Sequence, residues 1–110
     1  MSHRFSETLH RLHTTIAARK DADPKSSYTA KLLADGVERV AKKFGEEAIE
    51  LVIAAAGGNP KVVEAEAADL IYHWLVLMAS SGVSLDQVAA QLEAREGQSG
   101  LAEKASRKTD

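Results

Sequence analysis

One stretch in the middle of the chain, Val37 to Ala56, constrains the fold most, because it combines an apolar stripe with three acidic residues, Glu46, Glu47 and Glu50. At about 100° per residue, the spacing predicts one long helix with an apolar side facing the core. The predicted stripe consists of Val37, Val40, Ala41, Phe44, Ala48, Leu51, Val52 and Ala55. Glu47 falls roughly 70° from the centre of this stripe, and Glu50 lies one turn further on the same flank, so both can point at one object.

A second apolar set, Ile49, Ile53 and Ala56, lies on the opposite side of the late turns of this helix. A helix that is apolar on two sides must be covered twice. The pattern therefore predicts a partner for this half of the helix.

The following helix supplies a matching pair of acids. After two glycines, Asn59 reads as an N-cap and Pro60 as the first helical residue, which predicts a helix from about Pro60 to Ser81. Glu66 and Asp69 lie three residues apart on it. Two helices joined by a tight turn pack antiparallel, so this pair is predicted to lie across from the acids of the first helix.

Four carboxylates in a small volume beside a core repel one another unless they are protonated or neutralised by a cation. A hard divalent ion suits ligands that are all oxygen. The alternative interpretation is a solvated acidic face. The run Leu70 to Ala79, LIYHWLVLMA, favours the metal site because it is apolar nearly all round and is predicted to be buried beside Asp69. A di-iron bundle would need a Glu-x-x-His pair from each of two helices, and neither the ExxE nor the ExxD motif provides that histidine. His73 is therefore predicted to be a hydrogen-bonded core or interface histidine and not a ligand.

The composition indicates an all-α protein of 110 residues, a single domain predicted to be a bundle of about four to five helices, and a chain this short would gain stability from oligomerisation. A net charge of −2 predicts no general attraction to nucleic acid or to an anionic membrane. The chain has no cysteine, which excludes disulfides and thiolate metal sites. The polar N-terminus does not resemble a signal peptide, so a cytoplasmic location is expected.

Three further helices are predicted, and a polar tail follows them. The first spans Ser2 to Lys20, with Phe5, Leu9, Leu12, Ile16 and Ala17 at helical spacing. A short one spans Tyr28 to Ala34, and the last runs from Leu85 to about Glu96 behind a capping box of Ser84 and Gln87. Its predicted core side consists of Val88, Ala89 and Leu92. Residues 98–110 form the tail.

Basic residues precede the acids along the chain: Lys31, Arg39, Lys42 and Lys43. Cations beside a carboxylate-bound metal suit a polyphosphate, whose charge needs neutralisation by both. The alternative is a solvated basic face.

Three segments together resemble the phosphoribosyl-ATP pyrophosphohydrolase family: SYTAKLLADGVERVAKKFGEEAIELVIAA, EAEAADLIYHWLVLM and the tail REGQSGLAEKASR. The likeness covers roughly residues 5–107. The pattern ExxE followed by ExxD belongs to the wider superfamily of all-α nucleoside triphosphate pyrophosphohydrolases and is moderately specific. The segments SYTxxL, KxxGEE and SGLxEKxxR are typical of the narrower family.

The resemblance implies Mg²⁺-dependent hydrolysis of phosphoribosyl-ATP to phosphoribosyl-AMP and pyrophosphate, the second step of histidine biosynthesis, by a homodimer in a stand-alone form. It implies four metal ligands, namely Glu47, Glu50, Glu66 and Asp69. Glu46 is an adjacent acid expected to bind metal or orient water, and the predicted catalytic set is Glu46, Glu47 and Glu50. Expected substrate contacts are Lys31, Arg39, Lys43, Ser99, Lys104 and Arg107.

Two other functions stay open at this stage. A relative with the same metal chemistry would act on ordinary or deoxy nucleoside triphosphates in nucleotide housecleaning. A non-catalytic helical dimer would use the acids only as a charged face.

Overall fold

The computed structural model describes residues 3–97, which contain five α-helices, one 3-10 turn and no strand. The helices are α1 (Arg4–Ala18), α2 (Tyr28–Asp35), α3 (Val37–Gly57), α4 (Pro60–Ser81) and α5 (Leu85–Ala94), and the 3-10 turn (Arg19–Asp21) follows α1. The predicted all-α class is confirmed. The polar tail, with the predicted substrate contacts Ser99, Lys104 and Arg107, lies outside the described residues.

The helix boundaries follow from local chemistry. The Ser27 hydroxyl accepts a hydrogen bond from the amide of Ala30 at the start of α2, and the Asn59 side chain accepts one from Lys61 at the start of α4. Gly58 ends α3 in the left-handed conformation at φ 79°, which glycine adopts without a steric penalty. The predicted capping box of Ser84 and Gln87 is present at the start of α5.

The core lies where α1 and α2 pack against the C-terminal half of α4 and the first turns of α3. It is formed by Ile16, Leu32, Val40, Leu75 and Val76. Within Leu70–Ala79 three residues are buried and the other seven are half-buried, so the predicted burial of that run is confirmed in part. The end of α3 and the start of α4 extend beyond this core as a two-helix hairpin, which we call the arm (residues 49–68).

The side of α3 that is buried differs from the predicted stripe. Its buried residues are Val40, Glu47 and Ala54, seven apart, whereas Val37, Ala41, Val52 and Ala55 are exposed. The observed face is rotated by roughly 80° toward Glu47 at about 100° per residue. The prediction was wrong in part because it placed only apolar residues against the core.

Two other predicted core faces are only partly buried. On α1, Ile16 is buried, whereas Phe5 and Ala17 are exposed. On α5, Val88 is half-buried, but Ala89 and Leu92 are exposed, because α5 turns by 104° from α4 and only its first turn packs on the core. No single described helix has the length and apolar character needed to cross a membrane; α4 and α5 meet that test only when they are counted together across their bend.

Candidate metal centre and basic pocket

Three carboxylates meet between α3 and α4, where the core ends and the arm begins. One oxygen each of Glu47, Glu66 and Asp69 lies within 4.8 Å of the other two. Glu47 is only 6% exposed, Glu66 is half-buried and Asp69 is exposed. The cluster is therefore open to solvent on the Asp69 side and closed on the Glu47 side.

The closed side leaves carboxylate oxygens without partners. Oε2 of Glu47 and Oε2 of Glu66 are buried and accept no hydrogen bond. A buried acceptor without a partner costs on the order of 1–3 kcal/mol, and more when it is charged. A divalent cation would satisfy both oxygens and remove the repulsion between the acids, so the donor set fits a hard metal ion such as Mg²⁺.

Glu50 lies at the edge of this cluster. It is exposed and is not one of the three acids that approach within 4.8 Å. Its pKa is nevertheless raised, first by the negative charge of Glu47 and by hydrogen bonding with it, and further by desolvation and by Glu66. The Glu50 side chain thus interacts electrostatically with the cluster from the side that faces water.

Lys43 connects the carboxylates to a neighbouring pocket. Its ammonium lies 3.4 Å from Oε1 of Glu47, one helical turn away. The pKa of Lys43 is raised, first by its proximity to Tyr28 and then by its hydrogen bond to Glu47. Because the Tyr28 phenol is uncharged near neutral pH, Glu47 is the partner that favours the charged ammonium there.

The pocket next to Lys43 has a volume of about 320 Å³ and is formed by α2 and the first half of α3. Its lining residues are Tyr28, Lys31, Leu32, Asp35, Arg39, Lys42, Lys43 and Glu46. Four of these are cationic and two are anionic, so the basic pocket attracts anions. The ammonium of Lys31 is 3.9 Å from Asp35, an exposed ion pair that leaves it accessible.

The basic pocket brings together residues that the sequence predicted separately. Lys31, Arg39 and Lys43, the predicted phosphate contacts, all line it, and so does Lys42. Glu46 faces this pocket and is exposed, whereas its neighbour Glu47 belongs to the carboxylate cluster. The two adjacent acids therefore lie on different parts of the site.

Hydrogen bonds between α2 and α4 support the site and were not predicted. The Tyr28 hydroxyl lies 3.0 Å from Nε2 of His73, whose Nδ1 lies 2.7 Å from the backbone oxygen of Asp69. The hydroxyls of Thr29 and Tyr72 form a second hydrogen bond. His73 is thus a buried, hydrogen-bonded histidine, as predicted. The one sequence signal for the contact is the polar pair Tyr72 and His73 within an otherwise apolar run.

Comparison with known proteins gives a consistent result. The model of the family described as phosphoribosyl-ATP pyrophosphohydrolase matches residues 9–96. A phosphoribosyl-ATP pyrophosphatase of Caulobacter vibrioides (strain NA1000 / CB15N) is 63% identical over 107 residues, covering 97% of this chain and 99% of the relative. The proteins of the same name from Dinoroseobacter shibae and Parvibaculum lavamentivorans are 59% and 62% identical, each over 90% of this chain and over 97% and 91% of their own lengths.

Proposed function

The chain belongs to the phosphoribosyl-ATP pyrophosphohydrolase family, and from this premise we propose that it hydrolyses phosphoribosyl-ATP to phosphoribosyl-AMP and pyrophosphate, the second step of histidine biosynthesis. The observation that carries the proposal is the carboxylate cluster directly beside a basic pocket. A triphosphate has enough negative charge to need both cations of the protein and a metal ion.

Glu47, Glu66 and Asp69 are the proposed ligands of Mg²⁺, with Glu50 as the fourth. The unpartnered buried oxygens of Glu47 and Glu66 support this assignment. When bound, Mg²⁺ would supply positive charge for the triphosphate and for the pyrophosphate that leaves. The acids determine where the positive charge of the metal ion can lie, because Glu47 is buried in the packed face of α3, and Glu66 and Asp69 lie on the facing helix α4.

Lys31, Arg39 and Lys43 are the proposed phosphate contacts, and Lys42 joins them in lining the pocket. Their ammonium and guanidinium groups donate to phosphoryl oxygens and stabilise the charge that accumulates there during in-line attack. Ser99, Lys104 and Arg107 remain predicted substrate contacts on the basis of the family resemblance.

One carboxylate is proposed to accept the proton of the attacking water. Glu50 is accessible to water beside the cluster, and Glu46 is accessible from the basic pocket. Glu46 would orient water or bind metal from that side. Catalysis is thereby assigned to the set Glu46, Glu47 and Glu50.

The functional unit is proposed to be a homodimer that covers the arm. Ile49, Val52 and Ile53 are 62%, 67% and 65% exposed, and Val62 on α4 is 44% exposed. Burying a large aliphatic side chain contributes about 1.5–3 kcal/mol, so several exposed side chains of this kind on one hairpin favour association. A second copy of the chain supplies an equally apolar arm. The proposed location is the cytoplasm, with no nucleic-acid or membrane partner.

The experiment that tests the function is pyrophosphate release from phosphoribosyl-ATP, with and without Mg²⁺, beside a panel of ordinary and deoxy nucleoside triphosphates. Metal-dependent turnover confined to phosphoribosyl-ATP is the expected result. Turnover of the panel would instead assign the protein to nucleotide housecleaning. Absence of turnover with every substrate would contradict an enzymatic role. The acids would then be only a charged face of a non-catalytic helical protein.

A further inference from the structure

The hydrogen bonds around His73 have a defined direction. The backbone oxygen of Asp69 can only accept, so Nδ1 of His73 carries the proton that is donated to it. In a neutral imidazole the other nitrogen is then an acceptor, and the Tyr28 hydroxyl donates to it. Burial raises the pKa of the Tyr28 hydroxyl, with Lys43 opposing this effect in part, so the hydroxyl keeps its proton at neutral pH.

This hydrogen-bond chain, from Tyr28 through His73 to the Asp69 peptide, joins the two halves of the site. Tyr28 is the first residue of α2; it is 51% exposed and forms part of the wall of the basic pocket. His73 is 6% exposed and lies one turn beyond Asp69 on α4. The ring of His73 is also held by edge-to-face contacts, at 5.9 Å from the ring of Tyr28 and 5.2 Å from that of Tyr72.

The position of α2 depends strongly on such contacts. The helix has only eight residues, and its buried apolar side chains are limited to Ala30 and Leu32. Helices this short are marginal without tertiary contacts. It nevertheless carries Lys31 into the basic pocket, while α4 carries Asp69 into the carboxylate cluster.

We propose that Tyr28 and His73 are positioning residues, which hold the α2 wall of the basic pocket in register with the Asp69 turn of α4 so that cations and carboxylates engage one polyphosphate together. This inference rests on the proposed function. A triphosphate bound by both parts of the site requires a fixed separation between them. A misplacement of about 1 Å can lower turnover by roughly 100-fold, even when binding persists.

The test compares Tyr28→Phe with Thr29→Val. Both variants delete one hydroxyl from the α2–α4 contact, but only the first breaks the hydrogen-bond chain. We expect Tyr28→Phe to lower kcat for phosphoribosyl-ATP by about 10-fold with KM changed less than twofold, since positioning acts on the transition state. Thr29→Val should keep kcat within about twofold, because the Thr29–Tyr72 bond joins residues outside the basic pocket and the carboxylate cluster, and the hydrogen-bond chain to Asp69 is left intact.

A spectroscopic measurement on the metal-free protein tests the chain without relying on activity. The imidazole ¹⁵N resonances of His73 should show a protonated Nδ1 and a bare Nε2, and Tyr28→Phe should shift the Nε2 resonance. A protonated Nε2 in the unmodified protein would overturn the inference, as would an equal loss of kcat in both variants. If the unmodified protein lacks turnover, the proposed function is what fails, and the resonances still decide whether the chain exists.

Discussion

Replacing Glu47 by glutamine should stabilise the metal-free protein and abolish its response to Mg²⁺. The substitution keeps the shape of the most buried acid of the cluster and removes its charge. In the absence of metal, that charge is repelled by Glu66 and Asp69 and leaves Oε2 without a partner. The substitution also removes the ion pair with Lys43 and changes the hydrogen bonding with Glu50. The result should be a more stable protein that cannot hold the metal ion.

The geometry bounds the magnitude. The carboxylate oxygens lie within 4.8 Å of one another, and two unit charges at that limiting distance repel by about 3.5 kcal/mol at an effective dielectric constant of roughly 20 and by about 0.9 kcal/mol in water. The repulsion between Glu47 and the exposed Asp69 is near the lower of these energies, and the repulsion between Glu47 and the half-buried Glu66 lies between the two. Losing a partly exposed ion pair with Lys43 offsets up to about 1 kcal/mol. A net stabilisation of about 1–2 kcal/mol remains, which corresponds to an increase in Tm of about 4–8 °C for a domain of this size.

The assay is thermal unfolding followed by circular dichroism, in a chelator and again in saturating Mg²⁺. The unmodified protein should gain about 2.7 kcal/mol at an Mg²⁺ concentration of 100 times Kd, whereas Glu47→Gln should gain nothing. The order of stability of the two proteins therefore reverses when Mg²⁺ is added. Loss of a residue that only supports a metal ligand typically lowers activity by up to about 100-fold. Because Glu47 is itself a proposed ligand, Glu47→Gln should lower the turnover of phosphoribosyl-ATP by more than that.

Glu64→Gln is the matched control, because Glu64 is an exposed acid on α4 whose partner, Lys61, is also exposed. It should change the unfolding free energy by less than about 0.5 kcal/mol and leave the response to Mg²⁺ intact. A Glu47→Gln variant that is less stable than the unmodified protein, by the same amount with and without Mg²⁺, would refute the reasoning. Glu47 would then be an ordinary buried ion-pair partner.

Three further predictions concern the rest of the site and the arm. Lys43→Met should lower kcat/KM for phosphoribosyl-ATP by on the order of 10-fold, as expected for loss of one charge-assisted contact, and Lys61→Met should leave it unchanged in the same assay. Ile53→Glu should convert the proposed dimer to a monomer in sedimentation equilibrium, and a dimer that persists would place the interface elsewhere. The pKa of Glu50 is raised above 4.5 in the folded protein, so the folded state binds this proton more strongly than the unfolded state does. The free energy of unfolding should therefore fall as pH rises through the window above 4.5. Glu50→Gln should make the free energy of unfolding less dependent on pH in this window, measured in a chelator.

Helix positions were predictable from the sequence because short-range chemistry determines them. Asn59 with Pro60, and Ser84 with Gln87, are caps that act within one turn, and α4 begins and ends where they and the glycines predicted. The pairing of acids on facing helices was predictable for the same reason, since a tight turn leaves two consecutive helices little choice but to lie antiparallel. Helical spacing then aligned Glu47 with Glu66 and Asp69.

The rotation of α3 and the contacts of α2 were not predictable in this way. A hydrophobic pattern assigns the buried face to apolar residues, and it cannot anticipate that a carboxylate such as Glu47 lies at the centre of that face. The bonds of Tyr28 to His73 and of Thr29 to Tyr72 join residues more than 40 positions apart. Their formation depends on how α2 packs on α4, which no local pattern encodes.

The burial of Glu47 also explains why apolar side chains of α3 remain exposed to solvent. Because the face toward α4 is centred on an acid, apolar residues such as Val52 and Ile53 are turned outward instead of into the core. The arm therefore has a weak core of its own and an apolar exterior, and a two-helix hairpin of this kind is marginal in isolation. A second chain packed on that exterior would stabilise the arm that carries Glu66, so that the proposed dimer and the proposed metal site depend on the same pair of helices.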